Sequence, residues 1–114
     1  MAMKLVIAII KPFKLEPVRA GLDAIGVQGM TVAECIGFGR SHGHTEIYRS
    51  AEYQIAFVPK LRLDIIVEDD KLPDTLEVIE RTARTGKLGD GKLFVAELDD
   101  AIRIRTGERG TDAI

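Results

Sequence analysis

The sequence predicts a single α+β domain, because of its length, its apolar content and the two hydrophobic periods that alternate along it. The 114 residues are 46% apolar, which suffices for one modest core. Short runs rich in β-branched residues alternate with segments whose apolar residues recur every three or four positions. Residues 1–114 are therefore predicted to form one domain built from strands and helices.

The first half of the chain is predicted to form a strand, a helix and a second strand. Residues 5–10 are a continuous apolar run, typical of a buried strand. Residues 16–25 carry apolar side chains at helical spacing, with Pro17 in the first turn and Gly26 at the stop. Residues 30–36 are again strand-like, with β-branched members.

The second half repeats this order. Residues 53–58 and 61–67 predict a third strand, residues 70–83 a second helix with acidic residues at its start, and residues 92–98 a fourth strand. The resulting order, βαββαβ, is the ferredoxin-like plan, with both helices on one face of an antiparallel sheet. The other face of so small a sheet would stay uncovered, which predicts a symmetric oligomer.

A long polar segment, residues 39–57, separates the second and third strands. Loops of this length in a small domain are usually functional or disordered, so the segment is predicted to be a recognition element. His42 and His44 within it invite a metal-binding interpretation. A transition-metal site normally has three or four ligands, however, and the only cysteine, Cys35, lies in a predicted strand. No metal site of this kind is predicted.

The Gly-rich run TGKLGDGK at residues 85–92 follows the second helix. Glycines let backbone N–H groups turn toward an anion, and lysines add positive charge, so the run predicts a phosphate-binding loop. It is not a Walker A loop, because it leads from a helix into a strand. An ordinary surface turn is the alternative, since Gly and Asp are common turn residues.

Charge and composition narrow the function classes. A net charge of −2 argues against a general nucleic-acid binder, and the few aromatic residues argue against a stacking platform for single strands. One cysteine cannot form an internal disulfide, and no apolar leader or membrane-length run precedes the fold. The expected location is the cytoplasm.

Several separated motifs together resemble one family, the PII nitrogen-regulatory signal-transduction proteins. The resemblance covers nearly the whole chain, in the order IKPFK (10–14), GMTV (29–32), GFGR (37–40), GHTE (43–46), EY (52–53), PK (59–60), TGKLGDGK (85–92) and IRIRTGE (102–108). It implies a ferredoxin-like homotrimer that binds ATP or ADP in clefts between subunits and senses 2-oxoglutarate. It also implies docking on an ammonium transporter or on nitrogen-metabolism enzymes through the long loop.

The resemblance further assigns residues to the nucleotide site. Residues 85–92 would form its phosphate-binding loop and residues 102–108 a C-terminal loop reaching in from the neighbouring subunit. Arg103 and Arg105, as alternate residues of one strand, would share a face and point at one polyphosphate, where the planar guanidinium suits phosphate oxygens. Gly37 and Gly39 would let the chain bend close to the nucleotide. The nucleotide-binding set is Ile9, Thr31, Gly37, Phe38, Gly39, Arg40, Asp64, Ile66, Thr85, Gly89, Asp90, Gly91, Lys92, Arg103 and Arg105.

The resemblance also implies a 2-oxoglutarate site, with one departure. Its residues would be Gly39, Arg40, Ser41, Gly43 and Lys60, with Mg²⁺ bridging ATP and 2-oxoglutarate. The family usually has glutamine where this chain has Ser41, and a serine hydroxyl is a shorter and weaker metal ligand than an amide carbonyl. The alternative function is therefore a divergent sensor whose 2-oxoglutarate response is weakened.

Tyr53 matches the tyrosine that many bacterial members expose for uridylylation or adenylylation by a nucleotidylyltransferase. A strand-edge tyrosine packed by its ring is the alternative.

Two other function classes stay open. A phosphoryl-transfer enzyme is disfavoured because no positioned base is evident, so the chain is predicted not to be an enzyme. A trimeric trace-metal or inorganic-carbon responder is disfavoured because such relatives usually lack the full loop and C-terminal motifs.

Overall fold

The computed structural model describes residues 2–40 and 55–114. It contains four strands, β1 to β4, and two helices, α1 and α2, in the predicted order. Their bounds are β1 Met3–Ile10, α1 Leu15–Ala24, β2 Thr31–Arg40, β3 Ile55–Glu68, α2 Leu72–Ala83 and β4 Lys92–Leu98.

The four strands form one antiparallel sheet in the order β2-β3-β1-β4. β1 is central and pairs with β3 over its whole length and with β4 from Met3 to Ile9. β2 and β3 pair in a long hairpin from Thr31 opposite Asp64 to Arg40 opposite Ile55. Both helices lie on one face, and the predicted ferredoxin-like α+β fold is confirmed.

The core lies between this sheet face and the helices. Alternate residues of β1 and β3, among them Val6, Leu63 and Ile65, are fully buried there together with Val18 and Leu22 of α1. The predicted amphipathic spacing of both helices serves this core.

The opposite face, which we call the open face, has no covering layer within the described residues. Leu5, Ile7 and Ile9 of β1 line its centre and are half-buried, while Ile66 and Phe94 beside them are exposed over 36% and 50% of their surface. An apolar row of this kind is unusual for water-facing sheet.

The hairpin strands are longer than predicted. The third strand continues through Pro59 without a break. β1 pairs with β3 only from Leu61 onward. Pro59 therefore lies where β3 has a partner on one side alone, and a missing N–H is tolerated at such an edge. Residues 39–40 of the predicted long segment belong to β2, and residues 55–57, which were also predicted as strand, belong to β3. Residues 41–54 lie outside the described residues.

The C-terminal segment differs from the prediction as well. Residues 103–105 do not form a strand: only one isolated bridge, between Ile102 and Arg109, is present there. The chain turns tightly between them, with Gly107 at φ +80° and its N–H donating to the Arg103 carbonyl at 2.7 Å. The argument that Arg103 and Arg105 share a strand face is therefore wrong.

Candidate functional site

The Gly-rich loop, residues 85–91, connects the end of α2 to the start of β4. Lys92, the first residue of β4, pairs with Ile9 of β1. The loop therefore lies beside Lys11, at the end of the sheet where β1 ends and β4 begins. Three glycines of the loop, Gly86, Gly89 and Gly91, have φ between +84° and +101°. Positive φ is readily adopted only by glycine, and such conformations are common in anion-binding loops.

Gly91 is required for a second reason. A Cβ atom there would lie 1.7 Å from the carbonyl oxygen of Ile9, far inside any allowed contact. The loop can lie this close to β1 only because residue 91 has no side chain.

Asp90 organises the loop from the inside. Its Oδ2 accepts hydrogen bonds from the N–H groups of Thr85 at 2.9 Å and Gly86 at 2.8 Å, and its Oδ1 accepts from the Thr85 hydroxyl at 2.5 Å. The ammonium of Lys11 lies 3.3 Å from the same Oδ1. Partial burial opposes ionisation, but these hydrogen bonds outweigh it and hold the pKa of Asp90 well below its usual range.

Thr85 completes this cluster. Its hydroxyl donates to Asp90 and accepts from the Lys11 ammonium and the Lys87 N–H, each at 3.1 Å. One donor and two acceptors are all that a hydroxyl offers. The start of the loop is therefore fixed by side-chain bonds.

Lys60 reaches the loop from β3. Its side chain is buried, and its ammonium donates to the carbonyl of Gly89. Burial lowers its pKa, the nearby ammonium of Lys11 lowers it further, and Asp90 opposes this shift. Gly37 of β2 gives room to the Lys60 stem, since a Cβ there would lie 3.3 Å from its Cγ.

The predicted nucleotide residues fall into two groups. The loop group comprises Ile9, Thr85 and residues 89–92, which lie together at the end of the sheet where β4 begins. The edge group comprises Thr31, Asp64 and Ile66, which line a cleft of about 550 Å³ together with residues 26–30 and the C-terminal residues 113–114. Asp64 is held there by an ion pair with Arg62 at 2.9 Å.

The loop and the edge group lie toward opposite edges of one chain's sheet. Thr31 lies on β2 and Lys92 on β4, and three strand spacings separate these two edge strands by about 14 Å. Arg103 and Arg105 follow the end of β4 that is remote from the loop, and Arg103 pairs with Glu108 of its own turn at 2.6 Å.

The remaining predicted residues lie in or beside the hairpin. Gly37 and Gly39 both lie inside β2, paired with Val58 and Ala56. Phe38 is exposed and stacks against Phe57, with ring centroids 5.3 Å apart. Arg40 ends β2. Ser41, His42, Gly43, His44 and Tyr53 lie outside the described residues.

Lys11 is the site residue that sequence reasoning missed. It belongs to the quoted IKPFK motif, but its partners Thr85 and Asp90 are 74 and 79 positions away, and only the register of β1 against β4 brings them together.

In the part of the chain that the structure describes, no three His, Cys, Asp or Glu side chains cluster as metal ligands. No helix of those residues is long and apolar enough to span a membrane.

Comparisons with known proteins agree with this architecture. The sequence profile of the family described as "Nitrogen regulatory protein P-II" matches residues 3–108. The chain is 55% identical over 112 residues to "Nitrogen regulatory protein GlnK" of Escherichia coli K12, covering 98% of this chain and 100% of that relative. It is 54% identical, with the same coverage, to "Nitrogen regulatory protein P-II" of Rhodospirillum rubrum.

Solved structures give the same result. The GlnK–ATP complex of B. subtilis matches with a TM-score of 0.84 and 34% identity, over 99% of this chain and 98% of that one. Arabidopsis thaliana PII bound to citrate matches with a TM-score of 0.83 and 37% identity, over 99% and 92% of the two chains. On the profile match and the identity along the whole chain, this protein belongs to the P-II family of nitrogen regulatory proteins.

Proposed function

We propose that this P-II protein binds ATP or ADP and reports the nucleotide to partner proteins of nitrogen metabolism. The observation that carries the proposal is the loop at residues 85–91, with three positive-φ glycines, fixed by Asp90 and followed by Lys92. The B. subtilis relative is described as a GlnK–ATP complex, which supports the choice of nucleotide. The chain acts by binding, and no catalytic role is assigned to its residues.

The nucleotide site lies between copies of the chain. The loop of residues 85–91 leads into the edge strand β4, the edge group lies on β2 and β3, and the open face between them exposes apolar side chains that a second and third copy would cover. In a homotrimer, the loop of one chain faces the edge group of its neighbour and the Arg103 and Arg105 turn. Each nucleotide then touches two chains.

Complementation between two binding-defective variants tests this arrangement. Lys92→Ala and Arg103→Ala each remove one side of the site and are expected to lose most ATP affinity as homotrimers. Unfolding, mixing and refolding the two chains together creates contacts in which both residues are native, so ATP binding returns at a fraction of the sites. If no binding returns although mixed trimers are seen by native mass spectrometry, the shared site is wrong.

The 2-oxoglutarate response is the second part of the proposal. Lys60 supplies a buried ammonium beside the loop, suited to a carboxylate, while the family glutamine that helps hold Mg²⁺ is replaced by Ser41. We infer that ATP binding is retained and that the Mg²⁺-dependent affinity for 2-oxoglutarate is weakened. Calorimetry with ATP and Mg²⁺ present tests this: Ser41→Gln should bind 2-oxoglutarate more tightly than the native chain, and equal affinities would contradict the inference.

Residues 39–57 are the partner-binding segment in this proposal, and an ammonium transporter is the expected partner. The protein is expected in the cytoplasm, reaching a membrane only through that transporter. A nucleotidyl group on Tyr53 would add charge and bulk to the segment and abolish docking. Pull-down from the native extract with ATP, ADP and 2-oxoglutarate in turn tests the idea, and retention that ignores all three ligands argues against a sensor.

A further inference from the structure

Lys11 and Asp90 form the best-connected cluster of charged groups in the described residues, and no role is yet given to Lys11. Both side chains are largely buried, with 19% and 25% of their surface exposed. The lysine follows β1 directly, and the aspartate ends the turn of the Gly-rich loop. A salt bridge in this place must act on the loop.

The carboxylate of Asp90 has no acceptor capacity left for a ligand. A carboxylate offers about four lone-pair sites. Two N–H groups, the Thr85 hydroxyl and the Lys11 ammonium occupy them. Asp90 thus shapes the loop rather than contacting what the loop holds.

The negative charge of Asp90 would repel a bound polyphosphate, and Lys11 offsets this charge. A carboxylate that stays ionised beside a polyphosphate repels it, and partial burial strengthens that repulsion because water screens it less. The ammonium of Lys11, in contact with the carboxylate oxygen, cancels this charge. Lys11 also donates to the Thr85 hydroxyl, so one side chain ties both ends of the loop to β1.

We propose that Lys11 is a positioning residue of the nucleotide site, which neutralises Asp90 and fixes the phosphate-binding loop without contacting the nucleotide. The inference rests on the proposed ATP-binding function. It implies that losing Lys11 harms the site chiefly because Asp90 is left behind as an unpaired charge.

A double-mutant cycle distinguishes this role from a general loss of structure. Lys11→Met should weaken ATP binding by at least about tenfold, the range expected when a partly buried charge loses its partner. Asp90→Asn alone should weaken it less. Asp90→Asn added to Lys11→Met should recover most of the lost affinity, because it removes the unpaired charge. Lys14→Met, three residues away, is the matched control, because within the described residues Lys14 makes no hydrogen bond or ion pair with the loop, and it should bind ATP as the native chain does.

Two outcomes overturn the proposal: Lys11→Met binds ATP like the native chain, or the losses of the two single variants simply add in the double variant. If the native chain itself fails to bind ATP, the proposed function fails instead. The positioning role is then judged by hydrogen exchange of the Thr85 and Gly86 amides, whose acceptor is Asp90. Exchange there should be several-fold faster in Lys11→Met than in Lys14→Met, and equal exchange would refute the role of Lys11.

Discussion

At the scale of single residues, the site depends on side chains, or on the lack of one, that other residue types cannot replace. Gly91 combines a positive φ with a Cβ direction that points straight at a backbone carbonyl. Lys60 is a buried ammonium held by a backbone carbonyl of the loop. Lys60 was assigned to the site by resemblance alone and Gly91 also by the Gly-rich pattern, and the structure supplies the physical reason for their type.

Gly91→Ala should therefore be strongly destabilising. The new Cβ would overlap the Ile9 carbonyl, so β1 or the loop must move, and we expect a loss of about 2–4 kcal/mol in the free energy of unfolding. Gly86→Ala is the control, because it also has a positive φ but nothing within 4 Å of the new atom. It should cost only about 1 kcal/mol of backbone strain. Urea unfolding measures both, and equal losses would contradict the account.

Asp90 should make stability depend on pH in the acid range. Its pKa is lowered in the folded state, so its contribution is complete above the unfolded value of about 3.9 and is lost as the pH falls toward the folded value. The stability difference between the native chain and Asp90→Asn should thus be constant near neutrality and shrink below about pH 4. Urea titrations at several pH values measure this difference, and a gap independent of pH would show that the folded carboxylate has an ordinary pKa.

At the scale of elements, the hydrophobic pattern predicted the order and type of every strand and helix, because periodicity reports which face is buried. The pattern predicted the bounds of the elements less well where the pairing between strands determines them. Pro59 signals a break, yet β3 continues through it because β1 has already ended. The alternation of Arg103 and Arg105 looks strand-like, yet the turn closed by Gly107 and the bridge to Arg109 is what forms.

The same limit applies to the site. The Gly-rich run could be found in the sequence because glycine and lysine have local preferences. The role of Lys11 could not, because its partners come from a strand register that joins residues more than 70 positions apart. The separation of the edge group from the loop group likewise depends on the strand order.

The contact between α1 and α2 offers a test of packing at this scale. A Cβ on Gly21 would lie 2.8 Å from a methyl group of Val78, so the helices approach closely at this glycine. Gly21→Leu should lower the free energy of unfolding by about 1–3 kcal/mol through overpacking. Val78→Ala in the same chain should restore part of that loss by making room.

Ala20→Leu, at an exposed position of the same helix, is the matched control and should change stability little. Thermal unfolding compares these three variants with the native chain. If Gly21→Leu and Ala20→Leu have the same midpoint, the helices do not pack at this position as described.

At the scale of the whole molecule, the open face argues for association. Phe94 lies on it and is half exposed, next to the half-buried Ile7. Phe94→Asp places a charge where the neighbouring copies are proposed to pack, so we expect monomers and, with them, the loss of ATP binding. Val95→Asp, on the other face of the same strand and 44% exposed, should leave the trimer intact. Light scattering after gel filtration gives the masses, and a trimer of Phe94→Asp would place the interface elsewhere.

The measurement that tests the central claim most directly is a calorimetric titration of the native protein with ATP, beside Lys92→Ala as the loss-of-binding control. The account predicts saturable binding at one ATP per chain, which Lys92→Ala weakens strongly while keeping its fold and its trimeric mass. A native protein that binds no ATP, or a Lys92→Ala variant that binds it equally well, would contradict the claim that the Gly-rich loop is the phosphate side of a shared nucleotide site.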